Sequence, residues 1–524
     1  MRIALVWLNM DSPVGVSHGV LILARELADA GHDVRVLHLH EGLDRSGGQG
    51  AVISDLAVAQ VGLVGLSFTS PHAAPARRLA LAIKEELPDV HLMCGGIHAT
   101  LDPEGVVRWP GVDAVGLGEV DGGVLVRYVG RLDAGEVPTD QPGFWVRVGD
   151  VEHRNPMAPL PDLTHQALPR YEGLDVEALV RAKRGFGEVL SGRGCPYRCR
   201  FCQNHALVER YRESLGTAPG AWPYVRQRGV ENLLQELVLL RSLAPSLKAI
   251  MFADDRLAGD RAWLRDFADR YPAEIGLPFI LNATPEQVDD EVAGLLYRAG
   301  CNMVKLGVEC APGRLRREVL GRPFGAERIE SAFASLQAVG INTMAYLMVG
   351  IPGETEEDLL QTFRFCAGLR PDAVRVSMFC PYPGTRIYRD LAEHGVVTPA
   401  VAGGDFLSSS VLTWPPAMAV LLDQALRVHP WLLNQHLVPA PEGVEALVAW
   451  IREVDGEAWS REETRVELER REAELLQTLG CLGVPHYRAP FPERPDYAFL
   501  RADRRRPLIN VDPDPRTPDP RARR

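Results

Sequence analysis

The chain has 524 residues, of which 46% are hydrophobic and 24% charged, and a formal net charge of −12. That length exceeds one hydrophobic core and implies two or three domains. The acidic balance argues against a nucleic-acid-binding surface, and no apolar run is long enough to span a bilayer.

The opening MRIALVWLNM is apolar but short and runs straight into Asp11, so it reads as a buried strand and not as a signal peptide. Up to about residue 125, strand and helix patterns alternate: IALVWL, then VLILARELADAGH closing on Gly31, then VRVLHL, VGLVGLSF, RRLALAIKEEL, HLMCGG and DAVGLG. This alternation predicts a doubly wound parallel sheet of about five strands, with ligands at the carboxyl ends of the strands. A Pro-, Gly- and Asp-rich stretch follows. It sets the first domain at 1–140 and a linker at 141–180.

A second alternating series fills 181–395. GEVLSG, KAIMFAD, PFILNAT, NMVKLGVE, NTMAYLMVG and AVRVSMF are its strands, separated by helical runs such as VENLLQELVLLRSL. Six βα units predict an open, partial (βα)6 barrel. Residues 396–502 read as a mostly helical capping region, including the charged helix SREETRVELERREAELLQTLG. The Pro-, Asp- and Arg-rich segment 503–524 reads as disordered.

Nine cysteines in a chain with no sign of export are thiols or metal ligands in a reducing, cytoplasmic compartment. Cys94, Cys301, Cys310, Cys366, Cys380 and Cys481 are scattered and read as small buried hydrophobes. Cys195, Cys199 and Cys202 are not scattered: they form C-x3-C-x2-C in SGRGCPYRCRFCQNHA. Pro196 keeps Cys195 out of a helix, and Gly192 and Gly194 permit close backbone approach. Three readings stand at this point. The first is a [4Fe–4S] cluster on three thiolates with one iron left open. The second is a zinc ion completed by His205, and the third is three unrelated thiols. The loop follows the first strand of the barrel series, at the end where such barrels do their chemistry and where structural zinc loops are rare.

RGCPYRCRFC resembles the cluster loop of the radical S-adenosylmethionine (SAM) superfamily. FADD (252–255), GIPGETEEDL (350–359) and PYPGT (381–385) resemble its second-, fifth- and sixth-strand signatures. The resemblance implies a cluster on Cys195, Cys199 and Cys202 whose open iron chelates SAM. One-electron cleavage then gives a 5′-deoxyadenosyl radical. It also implies SAM contacts: Asp254 and Asp255 to the ammonium, Asn282 at the third strand end, Glu309 to the ribose, Arg322 to the carboxylate, and Gly350 and Ile351 to adenine. Helix capping is the ordinary alternative for Asp254 and Asp255, and a buried ion pair is the alternative for Glu309.

In the first domain no G-x-G-x-x-G follows the first strand, which excludes a dinucleotide fingerprint. GGIHATLDPEGV and VGLGE instead resemble the cobalamin-binding domain found upstream of many radical SAM enzymes. That resemblance implies cobalamin contacts at Ser67, Thr69, Gly95, Gly96 and Gly118. The cobalt-ligating D-x-H-x-x-G motif is missing. His32 does not fit its spacing, and His18, His72 and His98 read as ordinary polar histidines, so base-off cobalamin is expected.

Together these resemblances imply a cobalamin-dependent radical SAM enzyme. Its expected reaction moves a methyl group from methylcobalamin to an unactivated carbon or a phosphinate phosphorus of a small-molecule substrate. A flavodoxin or ferredoxin would donate electrons. Two alternatives stand beside it: a cyclase with the same cofactors and no methyl transfer, and a cobalamin- or cluster-based sensor.

Overall fold

Alternate residues of the first strand, Arg2–Leu8 (β1), enter two different cores. Ile3 and Leu5 pack with Val20, Leu21, Ala24 and Leu27 of the helix His18–Asp29, whereas Ala4, Val6 and Leu8 pack with Val52 and Leu56 and with Leu79 and Ile83 of the helix Ala73–Glu86. A strand buried on both faces needs a near-continuous apolar run, and that is what RIALVWL supplies. In the computed structural model, which describes residues 1–10, 14–40, 48–164, 166–217, 224–255, 257, 260–397, 410–437, 440–482 and 487, this strand sits inside a seven-stranded sheet. The others are Asp33–Leu39 (β2), Leu63–Ser67 (β3), His91–Gly95 (β4), Ala114–Gly116 (β5), Phe144–Val148 (β6) and Val151–Arg154 (β7). The order is β2-β1-β3-β4-β5-β6-β7, parallel through β5.

The last two strands are antiparallel additions and correct the expected boundary at residue 140. FWVRVGDVEHR turns at Gly149, whose φ is +59°, and folds back as a hairpin against β5, so the sheet continues to Arg154. The hairpin lies within a Pro- and Gly-rich stretch, which masks its strand pattern in the sequence. Part of the remaining stretch is helical, over Val176–Ala182.

The second sheet has six parallel strands in the order β15-β14-β13-β12-β11-β8: Phe186–Val189 (β8), Ala249–Phe252 (β11), Phe279–Ala283 (β12), Cys301–Glu309 (β13), Asn342–Val349 (β14) and Ala373–Met378 (β15). A two-stranded ribbon, Gly192–Arg193 (β9) with Arg226–Gln227 (β10), stands beside it. This is the open, partial barrel expected from six βα units. Phe186, Ala249, Ile280, Met303, Met344 and Ala373, one from each strand, form an apolar plug near the strand starts. The carboxyl ends are thereby left as the working end.

Helices follow. Pro416–Asn434 packs on β15 and on the helix Glu356–Leu369. It kinks at Val428, just before Pro430, because proline cannot donate to the helix ladder. Trp431 is core, and Trp414, Trp450 and Trp459 pack partly buried against it. Residues 503–524, with much of the stretch after 482, lie outside the described residues.

Candidate active site at the domain interface

The cysteine loop begins where β8 ends and is held from both sides. Before it, both carboxylate oxygens of Asp254 accept from the Ser191 N–H at 2.9 Å, and the Ser191 hydroxyl donates to Asp254 at 2.6 Å. Gly194 has φ +91°, and a Cβ there would collide with the Tyr224 carbonyl, so only glycine fits. After the loop, Cys202 is the N-cap of the helix Gln203–Leu215. Burial pushes the Cys199 thiol up to about 11 and the Cys202 thiol up to about 12, with the Arg322 guanidinium opposing this at Cys199. Cys195, Cys199 and Cys202 form no disulfide.

Zinc is poorly served by this geometry. Among the described residues no three His, Cys, Asp or Glu side chains converge on one metal ion, and His205 Nε2 faces Glu209 at 3.3 Å. An iron–sulfur cubane binds one thiolate on each of three separate irons, so three thiols suffice to hold it with one iron left open.

The barrel mouth redistributes the expected SAM contacts. Asp254 is buried and wholly engaged by Ser191, so it positions the loop and is not available to an ammonium; burial raises its carboxyl to about 6. Asp255 stays open to solvent and accepts from Asn204, and the surrounding protein raises its carboxyl, as on a cavity wall. Asn282 Nδ2 reaches the Asp254 carbonyl at 3.4 Å. Glu309 and Arg322, expected on different parts of SAM, pair with each other at 2.5 Å, and Arg322 also donates to the Gly307 carbonyl at 3.1 Å. Glu309 sits at a bulge in the β13–β14 register with φ +63°, a strained backbone for a non-glycine residue. The amide groups of Gly350 and Ile351 are not free for adenine, because both donate to Glu354 Oε2, at 2.6 and 3.3 Å. Burial raises the Glu354 carboxyl to about 8.

Across from this mouth the first domain holds a cavity of about 220 Å³ between the ends of β3, β4 and β5 and the helix His18–Asp29. Ser67, Gly95, Gly96 and Gly118 line it, as does Arg193 from the second domain. A Cβ built on Gly95 meets no atom within 4 Å, so this glycine leaves open room. At Gly96, with φ +89°, a Cβ would press on the Phe68 carbonyl at 2.7 Å. One expectation changes here. Thr69 does not line the cavity; its hydroxyl is 2.8 Å from His72 Nδ1. Gly118 is glycine because a Cβ would overlap Tyr211 of the second domain, so domain packing demands it. Three of these histidines are engaged elsewhere, His72 with Thr69 and the Met10 carbonyl, His98 with Ser70, and His32 with the amino terminus and Asp133, whereas His18 is buried beside Glu188 with its Nε2 unpartnered among the described residues.

Strand-end loops join the two domains. Arg193 pairs with Glu119 at 2.5 Å and with Asp121 at 2.8 Å, and Arg226 also holds Glu119. Tyr211 accepts from the Glu119 N–H at 2.7 Å, Gln203 donates to Ser70 at 3.2 Å, and Gly384 of PYPGT lies where an added Cβ would come within 2.8 Å of Leu101. The cavity and the cysteine loop therefore share walls.

The radical SAM superfamily model matches residues 189–366, and the B12 binding domain model matches residues 13–125. The chain thus carries a B12 binding domain followed by a radical SAM domain. An uncharacterized methyltransferase of Pyrococcus horikoshii is 24% identical over 72% of this chain and 77% of its own length. The anaerobic magnesium-protoporphyrin IX monomethyl ester cyclase of Rubrivivax gelatinosus is 24% identical over 63% of this chain and 58% of its own. The radical S-adenosylmethionine methyltransferase TsrM from Kitasatospora setae superposes with a TM-score of 0.63 at 21% identity, over 76% of this chain and 79% of that one. At that identity the likeness speaks for the fold.

Several residues of the radical SAM site escape sequence reading. Ser191 and Arg193 stand inside the cysteine motif and Glu354 inside GIPGE, yet their partners lie in other elements. Glu119, Asp121 and Tyr211 carry no local signal of their domain-bridging contacts.

Proposed function

We propose that the chain is a cobalamin-dependent radical SAM methyltransferase acting on a small-molecule substrate. The observation that carries this reading is the apposition itself: a three-thiol loop at the barrel mouth shares Arg193 with a glycine-lined cavity of a B12-binding domain. Cys195, Cys199 and Cys202 would hold a [4Fe–4S] cluster, and Gly95, Gly96 and Ser67 would cradle part of a cobalamin. When bound, the cofactors supply one-electron cleavage of SAM and carriage of a methyl group.

The chain's own groups supply position and exclusion. Asp254 fixes the loop through Ser191, and the Glu309–Arg322 pair presents a buried, oriented charge pair beside Cys199. Glu354 holds the Gly350–Ile351 turn. Two residues past the apolar plug along their strands stand Glu188, Lys305 and Arg375, with Arg375 over the Tyr346 ring at 5.7 Å, a charged layer that suits a polar substrate. Nine thiols and an oxygen-sensitive centre suit the cytoplasm with a flavodoxin or ferredoxin as electron donor, and the acidic chain does not suit nucleic acid. No described helix is long and apolar enough to cross a membrane.

Alanine at Cys195, Cys199 or Cys202, tested after anaerobic reconstitution with iron and sulfide, is expected to abolish the cluster absorption and 5′-deoxyadenosine formation. Retained turnover in any of the three overturns the reading. The similarity to the cyclase favours one rival outcome, ring formation without methyl transfer. SAM labelled in its methyl group separates them: label in the product supports methyl transfer, and product without label selects the cyclase chemistry.

A further inference from the structure

Arg193 belongs to the second domain, two residues before the first thiol, yet its side chain lines the cavity of the first domain. We propose that Arg193 couples the two cofactor sites, so that filling the cavity with the nucleotide tail of a cobalamin tightens the cysteine loop, and a loaded cysteine loop tightens the cavity. This rests on the cobalamin reading above.

The backbone around Arg193 is tied to its neighbours at three points. Ser191 is clamped by Asp254, Arg193 pairs with Arg226 in the β9–β10 register, and Gly194 is wedged under Tyr224. Displacement of Arg193 therefore passes directly to Cys195. The side chain of Arg193 is held by Glu119 and Asp121, on the turn after β5 that also walls the cavity. Arg193 and Glu119 are 17% and 20% exposed, so their attraction is partly screened by water while the cavity is open. An aromatic base in the cavity displaces that water, lowers the local dielectric and strengthens both ion pairs. At the loop's other end, the helix that Cys202 caps reaches the same turn through Tyr211, which accepts from the Glu119 N–H. Two ligands that order one segment bind cooperatively, because the second finds part of the ordering already done.

The test uses hydroxocobalamin and cobinamide, a corrinoid without the nucleotide tail. The dissociation constant of each is measured on full-length protein with and without its reconstituted cluster. The expected result is that the cluster tightens hydroxocobalamin roughly tenfold, within the range usual for coupled sites, and leaves cobinamide unchanged. Arg193→Met is expected to bring the hydroxocobalamin ratio to one. Because it strands the buried Asp121, the double change Arg193→Met with Asp121→Asn repeats the measurement without an unpaired charge. A ratio of one in the wild type, an unchanged ratio in the folded double variant, or equal coupling with cobinamide overturns the inference and leaves the cobalamin reading standing. Failure of the wild type to bind either corrinoid overturns both.

Discussion

Glu354 shows how one buried side chain can set both geometry and pH response. It accepts two amide N–H groups from the Gly350–Ile351 turn, while its other oxygen, Oε1, meets no protein partner. With its carboxyl raised to about 8, the folded protein holds a proton that the unfolded chain releases near 4.5. The resulting stability is fully present below about 4.5 and is lost as pH rises through 8. Glu354→Gln imitates the neutral acid. It is expected to fold with little loss at pH 7 and to flatten the decline between pH 5 and 9 seen by denaturant unfolding of the wild type. The histidines lead to a second expectation at this scale. His72 and His98 are each bonded to a neighbouring hydroxyl, His18 is buried, and burial holds His98 down at about 4. Cob(II)alamin on this protein should therefore show no axial nitrogen splitting in its electron paramagnetic resonance spectrum. Such a splitting would show that one of these contacts gives way or that His18, whose Nε2 meets no protein partner among the described residues, reaches the cobalt.

Strand ends are where the two sheets do their work, and glycine there has two distinct jobs. Gly194 and Gly118 are glycine because protein presses on them, whereas Gly95 is glycine where space is left. Gly95→Leu is accordingly expected to fold with a melting temperature close to the wild type and to lose at least tenfold in cobalamin affinity, read by absorbance titration. The analogous change at Gly194 would damage the loop itself. Much of the element scale was legible beforehand. The apolar runs of β1, β3 and β4 and the six barrel strands have unambiguous periods, because each is buried on both faces or on one face of a closed wall. The hairpin β6–β7 was not, since its outer residues face solvent and its surroundings are Pro- and Gly-rich.

At the scale of the whole molecule, two sheets meet with their working ends facing and helices seal the barrel's last strand. Leu422, Ala425 and Trp431 of the helix Pro416–Asn434 are buried in the main core, and Asn434 and Tyr487 exchange hydrogen bonds of 2.9 and 2.7 Å. Full burial of a side chain the size of Leu422 contributes about 1.5–3 kcal/mol. A chain stopped after residue 415 is therefore expected to be insoluble or to unfold at far lower denaturant, even though every cysteine ligand candidate remains.

The linear chain by itself determined the domain order, the partial barrel and the three clustered thiols, because these rest on local period and on residues close in sequence. Only the tertiary structure decided which polar groups face the site. Asp254 is spent on Ser191, Glu309 on Arg322, the Gly350 and Ile351 amides on Glu354, and Thr69 on His72. A polar side chain bonds to whatever the fold brings within about 3 Å. Those neighbours come from strands and loops distant along the chain, so no motif announces them.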